Sequence, residues 1–381
     1  MELEATRIPL LSLRSTISSL ADLIYKNIPT DGVPWTADQG LALCSLLAAA
    51  ESLNDAKYLD FVKNRADYLV TQVKNGGPFE DAFTLESLTI GTVLISLWRR
   101  FHGDAYADVV LWLRDRLRSH PRTSAVGFWY KKTCPHQIRL DGLYMFGPFC
   151  AAYARHMDEP ELFDELCTQL IIAEARTRDV STGLLHHALD ASRMQLWAHP
   201  RSGCSPHFWG RGMGLFGMAV IDVLDYLPPE HAEYSTVVAI LHRFAEAMAR
   251  VQDHNSGLWY QVLDQPKRKK NFTETSVSAM SVYIFAKGVR MGYLDRRYLE
   301  TAKAGYTGLI THRFVTDDSG SHHVSGISRS VELGGNPYSD GSYDCYVNND
   351  TSTDDIHGVA PLLLACIEME HTTLGGDTAR R

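Results

Sequence analysis

The sequence predicts an all-α chain, closed into a ring of paired helices as an (α/α)6 barrel with a single domain. Three observations lead there. Apolar residues recur at helical spacing through most of the 381 residues, while strand-like alternation is scarce. A small pattern recurs three times, as Gly127-Phe-Trp-Tyr-Lys131, Gly183-Leu-Leu-His-His187 and Gly257-Leu-Trp-Tyr-Gln261. The copies lie about 55 to 75 residues apart and each falls between two helical stretches, the mark of a repeated hairpin. About six such hairpins fit the length with no Pro/Gly/Ser-rich linker left over, and an open solenoid is the alternative arrangement.

The helical stretches follow in order. One is entered near Asp38 and runs through Leu41–Leu47, with Tyr58–Val73 as its partner. Leu85–Phe101, Tyr106–Leu117, Leu143–His156 and Leu162–Thr177 come next. Gly210–Leu227, Tyr234–Gln252, Glu274–Met291, Arg297–Phe314 and Val359–Glu370 complete the series. The expected organisation is a helical lead-in over residues 1–30, the barrel over 31–370 and a frayed tail over 371–381.

Composition narrows the function. Hydrophobic residues make up 45% and charged residues 22%, as in ordinary globular proteins. The net charge of −8, with no basic block beyond Lys267–Lys270, argues against a nucleic-acid surface. The first residues are acidic and lack an apolar core, unlike a secretory signal, and no apolar run is long enough to span a membrane. The seven cysteines show no CxxC spacing and sit mostly in apolar runs, which fits a reducing cytoplasm.

The stretch Arg139-Leu-Asp-Gly-Leu-Tyr-Met-Phe-Gly-Pro-Phe149 places one acid, Asp141, among apolar and aromatic neighbours. Asp141 is either a helix N-cap or a carboxyl whose pKa burial raises for proton transfer. In Ser205-Pro-His-Phe-Trp-Gly-Arg-Gly-Met-Gly214, Arg211 offers a fork for a carboxylate, or braces a helix start, and the glycines allow close approach of a ligand. The pairs His186-His187 and His322-His323 lack metal-binding spacing, and no GxSxG elbow or phosphate loop is present, so no metal or cofactor is expected. Trp35, Trp129, Tyr130, Trp197, Trp209 and Trp259 cluster in or beside the repeated loops. Aromatics of that kind are either core or stacking faces for a small-molecule or oligosaccharide substrate.

These motifs, with Trp209-Gly-Arg-Gly-x-Gly214, Gly257-Leu-Trp-Tyr-Gln-Val-Leu-Asp264, Lys287-Gly288 and Pro337-Tyr-x-Asp-Gly-Ser-Tyr343, resemble glycoside hydrolase family 105. That family comprises the unsaturated rhamnogalacturonyl hydrolases, related to the unsaturated glucuronyl hydrolases of family 88. The resemblance runs from about Asp31 to Glu370 and implies the same (α/α)6 fold. It also implies hydration of a 4,5-unsaturated uronic acid rather than ordinary glycosidic cleavage. By motif position Asp141 is the acid, Glu86 its facing carboxylate and His187 the active-site histidine. Substrate contacts fall to Arg211, Trp209, Tyr130, Lys131, Met145, Trp35 and Leu215. Five positions depart from the family pattern: Glu86 for Asp, Tyr130 for His, Leu215 for Trp, Ala37 for Tyr and Ser339 for Arg. Because these changes gather near the sugar cleft, a scaffold turned to another proton-initiated reaction is the alternative, and a non-catalytic sugar-binding protein the third reading.

Overall fold

The computed structural model describes residues 10–28, 36–76 and 84–378. The helices are α1 (Leu10–Asn27), α2 (Ala37–Leu53), α3 (Ala56–Lys74), α4 (Thr89–Phe101), α5 (Asp104–Arg118), α6 (Leu140–His156) and α7 (Leu162–Thr177). They continue with α8 (Gly210–Leu224), α9 (Tyr234–Arg250), α10 (Thr275–Arg290), α11 (Tyr298–His312), the short α12 (Tyr343–Val347) and α13 (Ile356–Thr378). Helices α2, α4, α6, α8, α10 and α13 pack side by side in that order, and α13 returns to α2. The ring is therefore closed, as an (α/α)6 barrel rather than an open solenoid.

Burial explains which helices went inside. Residues Leu140–Ala154 of α6 and Thr275–Gly288 of α10 are buried without interruption, as expected for a helix surrounded on every side. The outer helices keep a single apolar stripe; α9 buries Val237, Ile240, Leu241, Phe244, Ala245, Ala247 and Met248 and leaves its other face to solvent. The N-terminal helix α1 is one of these outer helices, not a lead-in to the barrel. Its Leu13, Ile17, Leu20 and Ile24 are buried and it packs on α13 and α2, where the two ends of the chain meet. The tail also departs from expectation: α13 runs past Glu370 to Thr378, and Thr372 and Thr373 bond back to the carbonyls of Glu368 and Met369.

The three repeated loops share a backbone device. Asp179 N–H donates to Leu184 O at 2.9 Å and Gly183 N–H to Asp179 O at 2.8 Å; Asp253, Leu258 and Gly257 repeat the pair at 2.8 and 2.7 Å. In the first copy Thr123 takes the place of the aspartate, its hydroxyl accepting from Gly127 N–H at 3.1 Å. After each turn the chain runs briefly extended. The strand β1 (Gln137–Arg139) pairs antiparallel with β2 (Ala188–Asp190), tying the start of α6 to the loop before α8. The glycines of the Trp209–Gly214 stretch serve packing, not ligand approach. A Cβ on Gly210 would stand 2.9 Å from Tyr260 O, and one on Gly214 would meet Met280 Sδ at 2.7 Å, closing α8 on α10.

At the far end of the barrel Lys287 Nζ donates to Asp222 at 2.7 Å, Asp225 at 2.6 Å and Tyr283 OH at 3.0 Å. The lysine of the Lys287-Gly288 motif is thus part of the structural base of the ring, with all three ammonium hydrogens placed.

Candidate active site

Five of the inner helices, α2, α4, α6, α8 and α13, bring residues at or beside their N-termini to one mouth of the barrel, and the cleft there has a volume of about 160 Å³. Asp38 of α2, Glu86 in the 3-10 turn ahead of α4, Asp141 of α6, Arg211 of α8 and His357 of α13 all line it. Converging helix N-termini favour an anionic ligand, since each carries unpaired N–H groups and partial positive charge.

Asp141 is not the N-cap of α6. That position is Arg139, so Asp141 lies inside the first turn with a buried Oδ1 that makes no hydrogen bond. Burial pushes its carboxyl above the usual carboxylate range, against the pull of the Arg139 guanidinium and a hydrogen bond from Tyr130; Glu332 adds to the rise. Burial likewise raises Glu86, opposed by Lys131 and assisted by the charges of Asp38, Asp141 and Glu332. Glu86 and Asp141 both line the cleft, and the Asp141 charge is one of the smaller causes of the rise at Glu86.

Arg211 is almost wholly buried. Its Nε donates to Ser276 Oγ at 2.9 Å, and Nη2 donates to the Ser328 carbonyl and lies 3.7 Å from Glu274 Oε1. Only Nη1 lacks a partner, so the bidentate fork expected of this residue is reduced to a single free donor.

Trp209, Tyr130, Met145 and Leu215 line the cleft as expected. Leu215 and Ala37 present small apolar surfaces there. His187 does not reach it: the ring is buried behind Trp209, 4.5 Å between centroids, with Nδ1 3.0 Å from Tyr346 OH. Burial and the nearby Arg139 charge hold its pKa well below the usual imidazole range, so it is neutral and braces Trp209. Lys131 is not among the lining residues but lies 4.0 Å from Oε2 of Glu332, which is. Ser339 is also away from the cleft, in a tight turn closed by reciprocal backbone bonds with Gly334. Trp35 lies outside the described residues. Trp259 is a core residue whose Nε1 donates to Met248 O at 2.8 Å, and neither Trp129 nor Trp197 enters the cleft.

Sequence reasoning missed Arg139, Glu332, Asp38 and His357. Arg139 donates to Glu332 Oε2 at 3.0 Å and to Leu333 O at 2.8 Å, and its guanidinium lies 4.5 Å from the Tyr130 ring centroid. It thereby clamps the loop carrying Glu332 to the helix carrying Asp141. Arg139 stands two residues from Asp141, and that adjacency was the available signal. Glu332 meets Arg139 across 193 positions and Asp38 meets His357 across 319 (357 minus 38), and no local pattern marks either pair.

The sequence profile described as Glycosyl Hydrolase Family 88 matches residues 16–373. The chain belongs to glycosyl hydrolase family 88. A family 105 glycoside hydrolase from C. acetobutylicum ATCC 824 superposes with a TM-score of 0.89 at 37% identity, covering 93% of this chain and 99% of that one. The resemblance to families 105 and 88 read from the motifs is thus correct, and this family 88 member is a glycoside hydrolase. The 24.9 kDa protein in the picA locus of Rhizobium radiobacter is 35% identical over 227 residues, 58% of this chain and 96% of that protein. An unsaturated 3S-rhamnoglycuronyl hydrolase from Alteromonas sp. (strain LOR) is 27% identical over 128 residues, 33% of this chain and 30% of that protein.

Proposed function

We propose that this enzyme hydrolyses 4,5-unsaturated uronyl oligosaccharides, first among them an unsaturated galacturonyl-rhamnose unit, by hydrating the enol-ether double bond. The observation that carries the reading is Asp141: a buried carboxyl, raised in pKa, with an unpartnered oxygen, in a residue that lines the cleft. A carboxyl kept neutral can deliver a proton.

In this reading Asp141 protonates C4, and the ring oxygen shares the positive charge that develops at C5. Asp141, now ionised, takes a proton from the water that adds at C5, and the hemiketal opens to release the neighbouring sugar. One carboxyl therefore serves as acid and then base. The free Nη1 of Arg211 offers the uronate carboxylate one charged donor, Trp209 offers a stacking face, and Glu86 stands as a second carboxyl in the cleft. The Alteromonas relative, an unsaturated 3S-rhamnoglycuronyl hydrolase by name, supports a substrate class containing an unsaturated uronide. Among the described residues no helix is long and apolar enough to cross a membrane. All seven cysteines are unpaired, which supports the cytoplasmic location read from the sequence.

The test is incubation with lyase-generated pectin and glycosaminoglycan disaccharides, following the ultraviolet absorbance of the double bond conjugated to the carboxylate. Loss of absorbance with the galacturonyl-rhamnose unit is expected. No loss with any disaccharide would return the cleft to another proton-initiated reaction.

A further inference from the structure

Asp38 and His357 line the cleft from adjacent inner helices, and the chemistry above uses neither. His357 Nδ1 lies 2.7 Å from Asp355 Oδ1 and its Nε2 lies 2.9 Å from Asp38 Oδ1. A neutral imidazole has one N–H and satisfies only one of these carboxylates; two require the imidazolium. Asp355 is itself held at 3.2 Å by the Ser352 hydroxyl and at 3.0 Å by His357 N–H. The chain Ser352–Asp355–His357–Asp38 is thus anchored in the barrel wall and ends at the cleft.

Exposure increases toward that end. The His357 side chain is 20% exposed and that of Asp38 is 39%. Among the described residues, no group other than His357 bonds to the Asp38 carboxylate, so its second oxygen is free to accept. Its neighbours on α2 offer nothing comparable. Ala37 presents a methyl group, Leu41 is apolar, and the Thr36 hydroxyl is uncharged and accepts from Gln39 N–H at 3.4 Å. A carboxyl oxygen free to accept, beside the apolar Ala37 and Leu41, suits an O–H donor, and the neutral hydroxyls of a saccharide supply one.

The geometry points to Asp38 as a specificity-determining residue that accepts a hydrogen bond from one saccharide hydroxyl, with His357 as its positioning residue. The assignment rests on the unsaturated uronide reading of the same cleft. The bond exists for a free hydroxyl only; an ether at that oxygen has no hydrogen to give and meets a carboxylate instead.

The experiment measures KM and kcat for the wild type, Asp38→Ala, Asp38→Asn and His357→Gln. The probes are the best unsaturated disaccharide from the panel and analogues of it lacking one hydroxyl at a time. Asp38→Ala is expected to raise KM by about 10- to 100-fold, the range of a hydrogen bond to a charged group, with a smaller fall in kcat. Asp38→Asn, which keeps an acceptor oxygen, should recover part of that loss, and His357→Gln should give a smaller rise in KM. One monodeoxy analogue should lose the same factor with the wild type and nothing further with Asp38→Ala. An unchanged KM in a folded Asp38→Ala, or an equal loss on every analogue, overturns the assignment while leaving the hydrolase reading intact. A wild type that consumes no unsaturated uronide overturns both together.

Discussion

Asp141→Asn is expected to give a folded, substrate-binding enzyme with kcat at least about 100-fold below the wild type, within the 10²- to 10⁴-fold range of a positioned general acid. The amide keeps the shape of the carboxyl but has no proton of suitable acidity to give to C4. Stability separates this outcome from simple damage. Because burial raises the folded-state pKa of Asp141, its contribution to stability is fully present below the unfolded value of about 3.9 and is lost as pH rises through the folded pKa. At neutral pH the wild type carries that cost and the Asn variant does not. Its Tm should therefore equal or exceed that of the wild type at pH 7, with the difference shrinking toward pH 4. A lower Tm with retained activity would make Asp141 a structural residue.

Arg211→Ala is expected to be the most destabilising change at the cleft, by on the order of 3 to 5 kcal/mol, since it strips the partner from a fully buried carboxylate. Glu274 is wholly buried, accepts from Ser276 Oγ, Val277 N–H and Ser328 N–H, and caps α10. Arg211 supplies the charge in that cluster and ties the Ser328 carbonyl to it. Arg211→Lys restores the charge and should recover part of the stability. Its compact ammonium cannot span Ser276, Ser328 and the cleft as the planar guanidinium does, so its KM should stay elevated. Denaturant melts and steady-state kinetics on the two variants check both halves. Unchanged stability in Arg211→Ala would mean that the three other donors satisfy Glu274 alone.

The scaffold was legible because helical periodicity is a local property. Leu162–Thr177 was read with the bounds of α7, since its apolar residues repeat within each turn. The same reasoning placed Leu85 at the head of α4, where the chain instead makes a 3-10 turn that brings Glu86 to the cleft. The place of α1 against α13 in the outer layer could not be read locally, because the two helices meet only across the whole length of the chain. Site residues divided along the same line. Asp141 and Trp209 were found from motifs contiguous in sequence. Asp38 and His357 acquire meaning only together, 319 positions apart (357 minus 38), and Glu332 only against Arg139, 193 positions away. His187, which the family motif puts in the active site, has its ring buried against Trp209 and kept neutral by that burial.

The central claim is that Asp141 starts the reaction by protonating C4 within the cleft. The most direct test is turnover of the unsaturated disaccharide in D2O, with the first product formed read by proton NMR at C4. Delivery from one fixed carboxyl places deuterium in a single configuration at C4, and Asp141→Asn loses that labelled product in proportion to its fall in kcat. Equal labelling of both C4 positions would mean that the glycosidic bond broke first and the double bond relaxed afterwards in solution. That result would contradict the account.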